Sequence, residues 1–313
     1  MLRALPGLGD LLCAVPALRA IRVAWPRAEV TFIGLPQTAW FSARFVHYVD
    51  DHLALRAWPG LPETPGSAEE AAAFLAAARE RRFDVAVQLH GDGRVTNGLV
   101  SQLGARCTAG LARRGAARPD PARFPDVPAT ASEVERTLLP LRALGVPERG
   151  RELEFPELAS EREAALRVTA GLGPYVVVHP GATLASRCWD PVGFADVADG
   201  LAGQGLVVVL TGVAAERPIG RAVAGAMAAT PVDLVGRLSL GAAAAVVRRA
   251  ELLITNDTGM SHLAAAVGTP SVVVFRVTDP RRWKPEADRH VAVIDDGVVG
   301  RTAARVLVAT GRM

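Results

Sequence analysis

Apolar positions along the chain fall into two alternating patterns. Short runs read as strands at Val30 to Gly34, His52 to Leu55 and Asp84 to Leu89 in the first half. The second half repeats them at Tyr175 to His179, Leu206 to Leu210, Val232 to Val235, Leu252 to Ile254 and Ser271 to Phe275. Helical spacing intervenes. Leu11, Val15, Leu18, Ile21 and Trp25 share one face, and Ser67 to Arg82 and Ser132 to Leu144 read as helices, the latter with Ser132 and Glu135 spaced as a capping box. Asp190 to Gly203 carries Phe194, Val197, Ala198 and Leu201 on one side; Ala214 to Ala228 and Leu240 to Arg249 complete the set. A strand should precede the turn Leu5-Pro6-Gly7-Leu8-Gly9-Asp10, yet only Met1 to Ala4 are available, so that strand is either very short or truncated by the chosen start. Strands alternating with helices predict parallel pairing and right-handed crossovers, in two α/β halves, 1–150 and 151–313, joined by a linker at Gly145 to Glu157.

Composition narrows the class. The 313 residues suffice for one large or two ordinary domains, and half are hydrophobic with few aromatics, which suits helices packed on sheets. A formal charge of +3 on an arginine-rich, almost lysine-free surface favours anionic ligands. A nucleic-acid partner is not expected: zinc-finger spacing, a basic helix and an aromatic-interleaved basic stripe are all missing. Cys13, Cys107 and Cys188 are odd in number and widely spaced, so they read as packing residues in a reducing compartment. Asp10 and Arg19 interrupt the N-terminal apolar run, and no stretch reaches the roughly 18 apolar residues of a membrane span. The expectation is a cytoplasmic protein, with peripheral contact at the inner face of the membrane left open. The arginine- and proline-rich stretch 112–131, with Arg113, Arg114, Arg118 and Arg123, reads as a solvated loop or as a lid with a phosphate contact.

Candidate chemistry gathers at glycine-bearing turns, because ligands of such sheets bind beyond the carboxyl ends of the strands. Ile254-Thr255-Asn256-Asp257-Thr258-Gly259-Met260-Ser261-His262 reads as strand, turn and helix start, where the amides of Thr258, Gly259 and Met260 offer donors to a diphosphate. A plain cap by Asp257 or Thr258 explains the same residues. Asp10 is either a carboxylate delivered to a cleft or a helix N-cap. With the turns after Leu5, His179 and Leu210, these would face one cleft.

Several segments, taken together, resemble glycosyltransferase family 9, the heptosyltransferases. They are Gly7-Leu8-Gly9-Asp10 before Ala-Val-Pro-Ala-Leu, His179-Pro180-Gly181-Ala182, Trp189 with Phe194-Ala195, Gly212 with Glu216, Gly236 with Ser239-Leu240, and Asn256-Asp257-Thr258-Gly259 with His262-Leu263-Ala264-Ala265-Ala266. The resemblance runs to Pro285. It implies a GT-B fold, two Rossmann-like domains facing a central cleft: 1–150 binding the acceptor, 151–313 the nucleotide sugar. It also implies inverting transfer from an ADP-heptose-type donor to a glycan or glycolipid, with no cofactor and no catalytic metal.

Under that resemblance Asp10 is the base that deprotonates the acceptor, and Arg187, where the family usually has lysine, holds donor phosphate. An arginine keeps the charge but prefers bidentate contacts, which leaves donor identity open. Thr183, Ser186, Glu216, Asp257, Thr258, Gly259, Met260 and His262 are the donor-side candidates; His90, Arg94, Arg113 and Arg114 the acceptor-side ones. Each has a plainer reading: Glu216 as an exposed helix-start residue, His262 as a packed histidine, Asp257 as a loop anchor, and the turn His90 to Arg94 as an ordinary loop. Arg276-Val277 stands where Gly-Pro is common in the family and would reshape one wall of the donor pocket. No two aspartates are separated by a single residue, as a metal-binding Asp-x-Asp motif requires. Two other functions remain: a non-catalytic GT-B-like binder of sugar nucleotides, and a Rossmann oxidoreductase. The second lacks both the third glycine and the acidic residue after the second strand.

Overall fold

A computed structural model describes residues 1–311, which divide into two compact units, Met1–Glu152 and a second from Leu153 onward. Strands are numbered in chain order. In the first unit β1 (Thr31–Gly34) pairs in parallel with β2 (Asp51–Ala54), and β3 (Val85–Val87) pairs with β4 (Cys107–Ala109). The two pairs are joined through the segment around Leu2, which bridges to Ile33 on one side and Gln88 on the other. The spatial order is therefore β2, β1, the Leu2 segment, β3, β4. Within Met1 to Ala4, Leu2 forms isolated bridges rather than a strand. Leu2, Ala4, Ile33, Leu55, Phe74, Leu99 and Phe124 share the core beneath it.

The second unit is a single six-stranded parallel sheet: β5 (Tyr175–His179), β6 (Val207–Leu210), β7 (Val232–Asp233), β8 (Leu252–Asn256), β9 (Ser271–Phe275) and β10 (His290–Ile294), in the order β10-β9-β8-β5-β6-β7. This is the doubly wound arrangement: all strands are parallel, and the order of strands switches from leftward to rightward between β5 and β8. Those two strands and β9 are buried throughout, which is why they read as unbroken apolar runs. Helices 191–202, 217–226 and 299–310 cover one layer, built on Trp189, Phe194, Val197 and Val306.

The structure refines several expectations and adds contacts to others. The helix expected from Leu11 onward is two, Leu8–Leu12 and Val15–Ala24, because Pro16 lacks an amide and its ring blocks the carbonyl four residues back. Ser132 does cap Glu133–Ala143 by accepting the Glu135 amide, but Glu135 spends its carboxylate on Arg142 and Arg151 rather than reaching back. β7 ends at Asp233, two residues early, because that carboxylate turns to accept the Val235 amide. The 112–131 stretch is tied down: Arg118 bonds the Phe124 carbonyl and Asp126, Arg123 bonds Asp120, and Ala112 bridges to Asp126 beside a buried Phe124. Among the described residues no helix is long and apolar enough to cross a membrane.

Candidate functional site

The carboxyl ends of β5, β6 and β8 lie side by side at the switch point, and each leads into a glycine turn. Asn256, at the end of β8, ties two of these segments together. Its side chain donates to the Pro180 carbonyl at 2.7 Å and accepts the Trp189 amide at 2.9 Å, all fully buried. That link fixes the 180–189 segment over the β8 turn, and it is a role the sequence motif did not disclose. Trp189 anchors the far end by packing edge-on against Phe194, centroids 5.0 Å apart.

Arg187 is carried on this segment. Its Nη1 lies 3.9 Å from Asp257 Oδ2, and its side chain keeps 33% of its exposure. The pair is long and single-contact, so the guanidinium retains donors for another anion. Asp257 is buried and accepts the Thr278 hydroxyl at 2.5 Å; burial, opposed by Thr278 and Arg187, raises its pKa. Thr183 and Ser186 sit exposed on the same segment. Arg276 braces the segment from β9, donating to the Cys188 carbonyl at 2.7 Å and to Asp295 at 2.9 Å. The residue that departs from the Gly-Pro pattern therefore supports the neighbour of Arg187.

The helix after β8 is Gly259–Val267, with Thr258 as its cap accepting the Met260 amide at 3.3 Å. The capping reading thus holds for Thr258, and of the three candidate amides Met260 is spent on the cap. Anion binding here would rest on Thr258 and Gly259. His262 is 4% exposed and packs edge-on to Trp283 at 6.2 Å, as a core histidine would.

Glu216 is not the exposed helix-start residue that was its plainer reading. Its carboxylate, 15% exposed, accepts the Val213 amide at 2.7 Å and lies 3.7 Å from His179 Nε2. It packs so closely on Gly181 that any Cβ there would overlap it. His179 is held by Thr211, and burial lowers its pKa against the opposing pull of Glu216. Two glycine turns, after β5 and after β6, thus close around one carboxylate.

In the first unit Asp10 is not the N-cap, which is Gly7. It lies in the first turn of Leu8–Leu12, its side chain 24% exposed and folded over Gly7. The organising residue is Arg3, only 1% exposed. It donates to the Asp10 carbonyl at 2.5 Å, to the Leu89 carbonyl and to Glu133 at 3.0 Å, and approaches the Asp10 carboxylate at 3.7 Å. An arginine inside the apolar opening segment, seven residues before Asp10, was the available signal. His90 belongs to the same cluster: burial first, then the Arg3 charge, lowers its pKa to about 4. Arg94, Arg113 and Arg114 are exposed and outside that network, Arg114 standing 4.0 Å from Asp126.

Comparison with known proteins agrees with this architecture. Residues 72–298 match the sequence profile of glycosyltransferase family 9 (heptosyltransferase). Lipopolysaccharide heptosyltransferase 3 of Escherichia coli is 27% identical over 296 residues, covering 90% of this chain and 85% of that protein. The structure of E. coli ADP-heptose lps heptosyltransferase II superposes with a TM-score of 0.74 at 17% identity, over 99% of this chain and 98% of that one. E. coli heptosyltransferase WaaC with ADP gives 0.71 at 20% identity, over 98% of each chain. The chain belongs to glycosyltransferase family 9 and is a heptosyltransferase-like glycosyltransferase of GT-B fold.

Proposed function

We propose that the protein transfers a heptose or related sugar from a nucleoside-diphosphate donor, ADP-linked, to a glycan or glycolipid acceptor, with inversion and without a catalytic metal. The observation that carries the reading is Arg187 beside Asp257 at the β5/β8 switch point, a cation on a braced turn with donors to spare. The solved structures of E. coli ADP-heptose lps heptosyltransferase II and of heptosyltransferase WaaC with ADP support the donor.

In the reaction so read, the acceptor hydroxyl attacks the anomeric carbon as its proton passes to the Asp10 carboxylate. The new C–O bond forms on the face opposite the breaking bond to phosphate, and the diphosphate leaves with both its electrons. Arg3 orients Asp10. Arg187 and the amides of Thr258 and Gly259 stabilise the departing charge, Glu216 takes the ribose hydroxyls, Asp257 and His262 the sugar side, and Thr183 and Ser186 flank the phosphates. His90, Arg94, Arg113 and Arg114 serve the acceptor side, whose lipid portion would bring the enzyme to the inner face of the cytoplasmic membrane.

Asp10→Asn should lower kcat by about 10²–10⁴-fold with the donor KM little changed, the range for a lost general base. Near wild-type turnover of ADP-heptose by Asp10→Asn would remove Asp10 from the chemistry. Loss of activity in EDTA, restored by a divalent ion, would overturn the metal-free reading.

A further inference from the structure

Two carboxylates approach one nitrogen of Arg3. Its Nη2 donates to Glu133 Oε1 at 3.0 Å and stands 3.7 Å from Asp10 Oδ1, while Nε donates to the Asp10 carbonyl at 2.5 Å and Nη1 to the Leu89 carbonyl. The Arg3 and Glu133 side chains are buried, whereas Asp10 keeps about a quarter of its side-chain surface. Of the two carboxylates, the one at hydrogen-bond distance is therefore the buried one.

Glu133 is delivered by an element from the far end of the unit. It is the first residue of the helix Glu133–Ala143, capped by Ser132, where the helix dipole favours an anion. One turn on, the Thr137 hydroxyl donates to the Cys13 carbonyl at 3.0 Å, and Cys13 closes the short helix Leu8–Leu12 that carries Asp10. The longer helix thus grips both the arginine beside Asp10 and the end of Asp10's own helix. A buried ion pair contributes little stability over an apolar pair of the same size, so Thr137 and apolar packing would suffice to dock it. What the carboxylate adds is its charge and its place on Nη2.

The effect on Asp10 follows from Coulomb's law. A guanidinium beside a carboxylate favours the charged form and weakens it as a base; a second carboxylate on the same guanidinium opposes that pull. Removing Glu133 would leave Nη2 buried without that counter-charge, and the nearest carboxylate left to it is Asp10. From the turn after β3, His90 also faces Arg3 and Glu133, and burial keeps its imidazole neutral near pH 7. The charges of this cluster are then those of Arg3, Glu133 and Asp10.

We propose that Glu133 is a positioning residue for the transfer reaction: by holding Arg3 Nη2 it keeps the guanidinium from closing on the Asp10 carboxylate and preserves the strength of that carboxylate as a base. The inference rests on Asp10 being the group that takes the acceptor's proton.

Titration of the Asp10 side-chain carboxyl, followed by carbon-13 NMR and assigned by its loss in Asp10→Asn, reads the effect without turnover. Glu133→Gln should move the midpoint to lower pH by about one unit, and Glu133→Asp, which keeps the charge but withdraws it by one methylene, by less. With ADP-heptose as donor, Glu133→Gln should lower kcat about three- to tenfold at an unchanged donor KM, with partial recovery in Glu133→Asp. In an Asp10→Asn background Glu133→Gln should cost nothing further. A residue that only props the helix would lower kcat by the same factor in both backgrounds and leave the titration where it was. An unmoved midpoint in Glu133→Gln, or in Glu133→Asp should the first variant not fold, overturns the inference. A moved midpoint together with near wild-type turnover in Asp10→Asn overturns the base itself, and the positioning role with it.

Discussion

At the scale of single residues the two candidate cations work under different constraints. Arg3 is fully buried among Asp10, Glu133 and the Leu89 carbonyl, so it positions rather than binds. Arg187 keeps a third of its surface and a distant partner, so it is available. Its availability depends on Arg276. Arg276→Ala should free the Cys188 end of the segment and raise the donor KM about fivefold, the equivalent of roughly 1 kcal/mol, with a smaller effect on kcat. A change confined to kcat would show that Arg276 does not act through donor binding. Two histidines set an acid limit. Burial holds His90 and His290 near a pKa of about 4, so the unfolded chain binds protons that the folded chain refuses between pH 6.5 and 4. Stability should fall as pH falls through that window, by up to about 1.4 kcal/mol per pH unit for each histidine. Urea midpoints at pH 6.5, 5.5 and 4.5 measure it. His90→Gln should flatten the slope; an unchanged slope would acquit His90.

At the scale of elements the glycine turns matter through what they leave out. Gly181 makes room for the Glu216 carboxylate. Gly181→Ala must push Glu216 away from the Val213 amide and His179, at a cost of about 1–3 kcal/mol for an overfilled site. Calorimetry should show weakened ADP binding in Gly181→Ala beyond what its lower stability explains; full affinity would separate Glu216 from the nucleotide. The same scale shows what the sequence makes legible. The strands β5, β8 and β9 are apolar on both faces and stand out from the sequence. Three-residue β4 offers too little pattern, and β10 with helix 299–310 lies beyond the last predicted element, although His290 to Ile294 carries a β-rich run. Motif spacing located the Asn256 and Glu216 turns, but not that Asn256 bonds Pro180 and Trp189, since a contact across about 70 residues leaves no local trace. The same limit concealed Glu133, far along the chain from its partner Arg3.

At the scale of the whole molecule each of the two units has an apolar core cluster of its own among the described residues. A ligand that binds one unit should stabilise that unit first. ADP at a hundred times its dissociation constant contributes about 2.7 kcal/mol to the folded state, which for a unit of this size is a shift of about 5–10 °C. Scanning calorimetry should show the shift in the transition that carries the second unit; a shift confined to the first would reverse the assignment of donor and acceptor halves. The strand order has a consequence during synthesis. β5 pairs with both β6 and β8, yet β8 begins about 70 residues after β5 ends. At ribosomal speeds of 5–20 residues per second, one flank of this fully buried strand waits roughly 4–15 s for its neighbour to be translated. An unpaired, valine-rich edge held open that long is a surface on which nascent chains can join one another. Yield in the cell should therefore depend on translation rate and on chaperone supply through the interval between His179 and Leu252, more than on the stability of the finished enzyme.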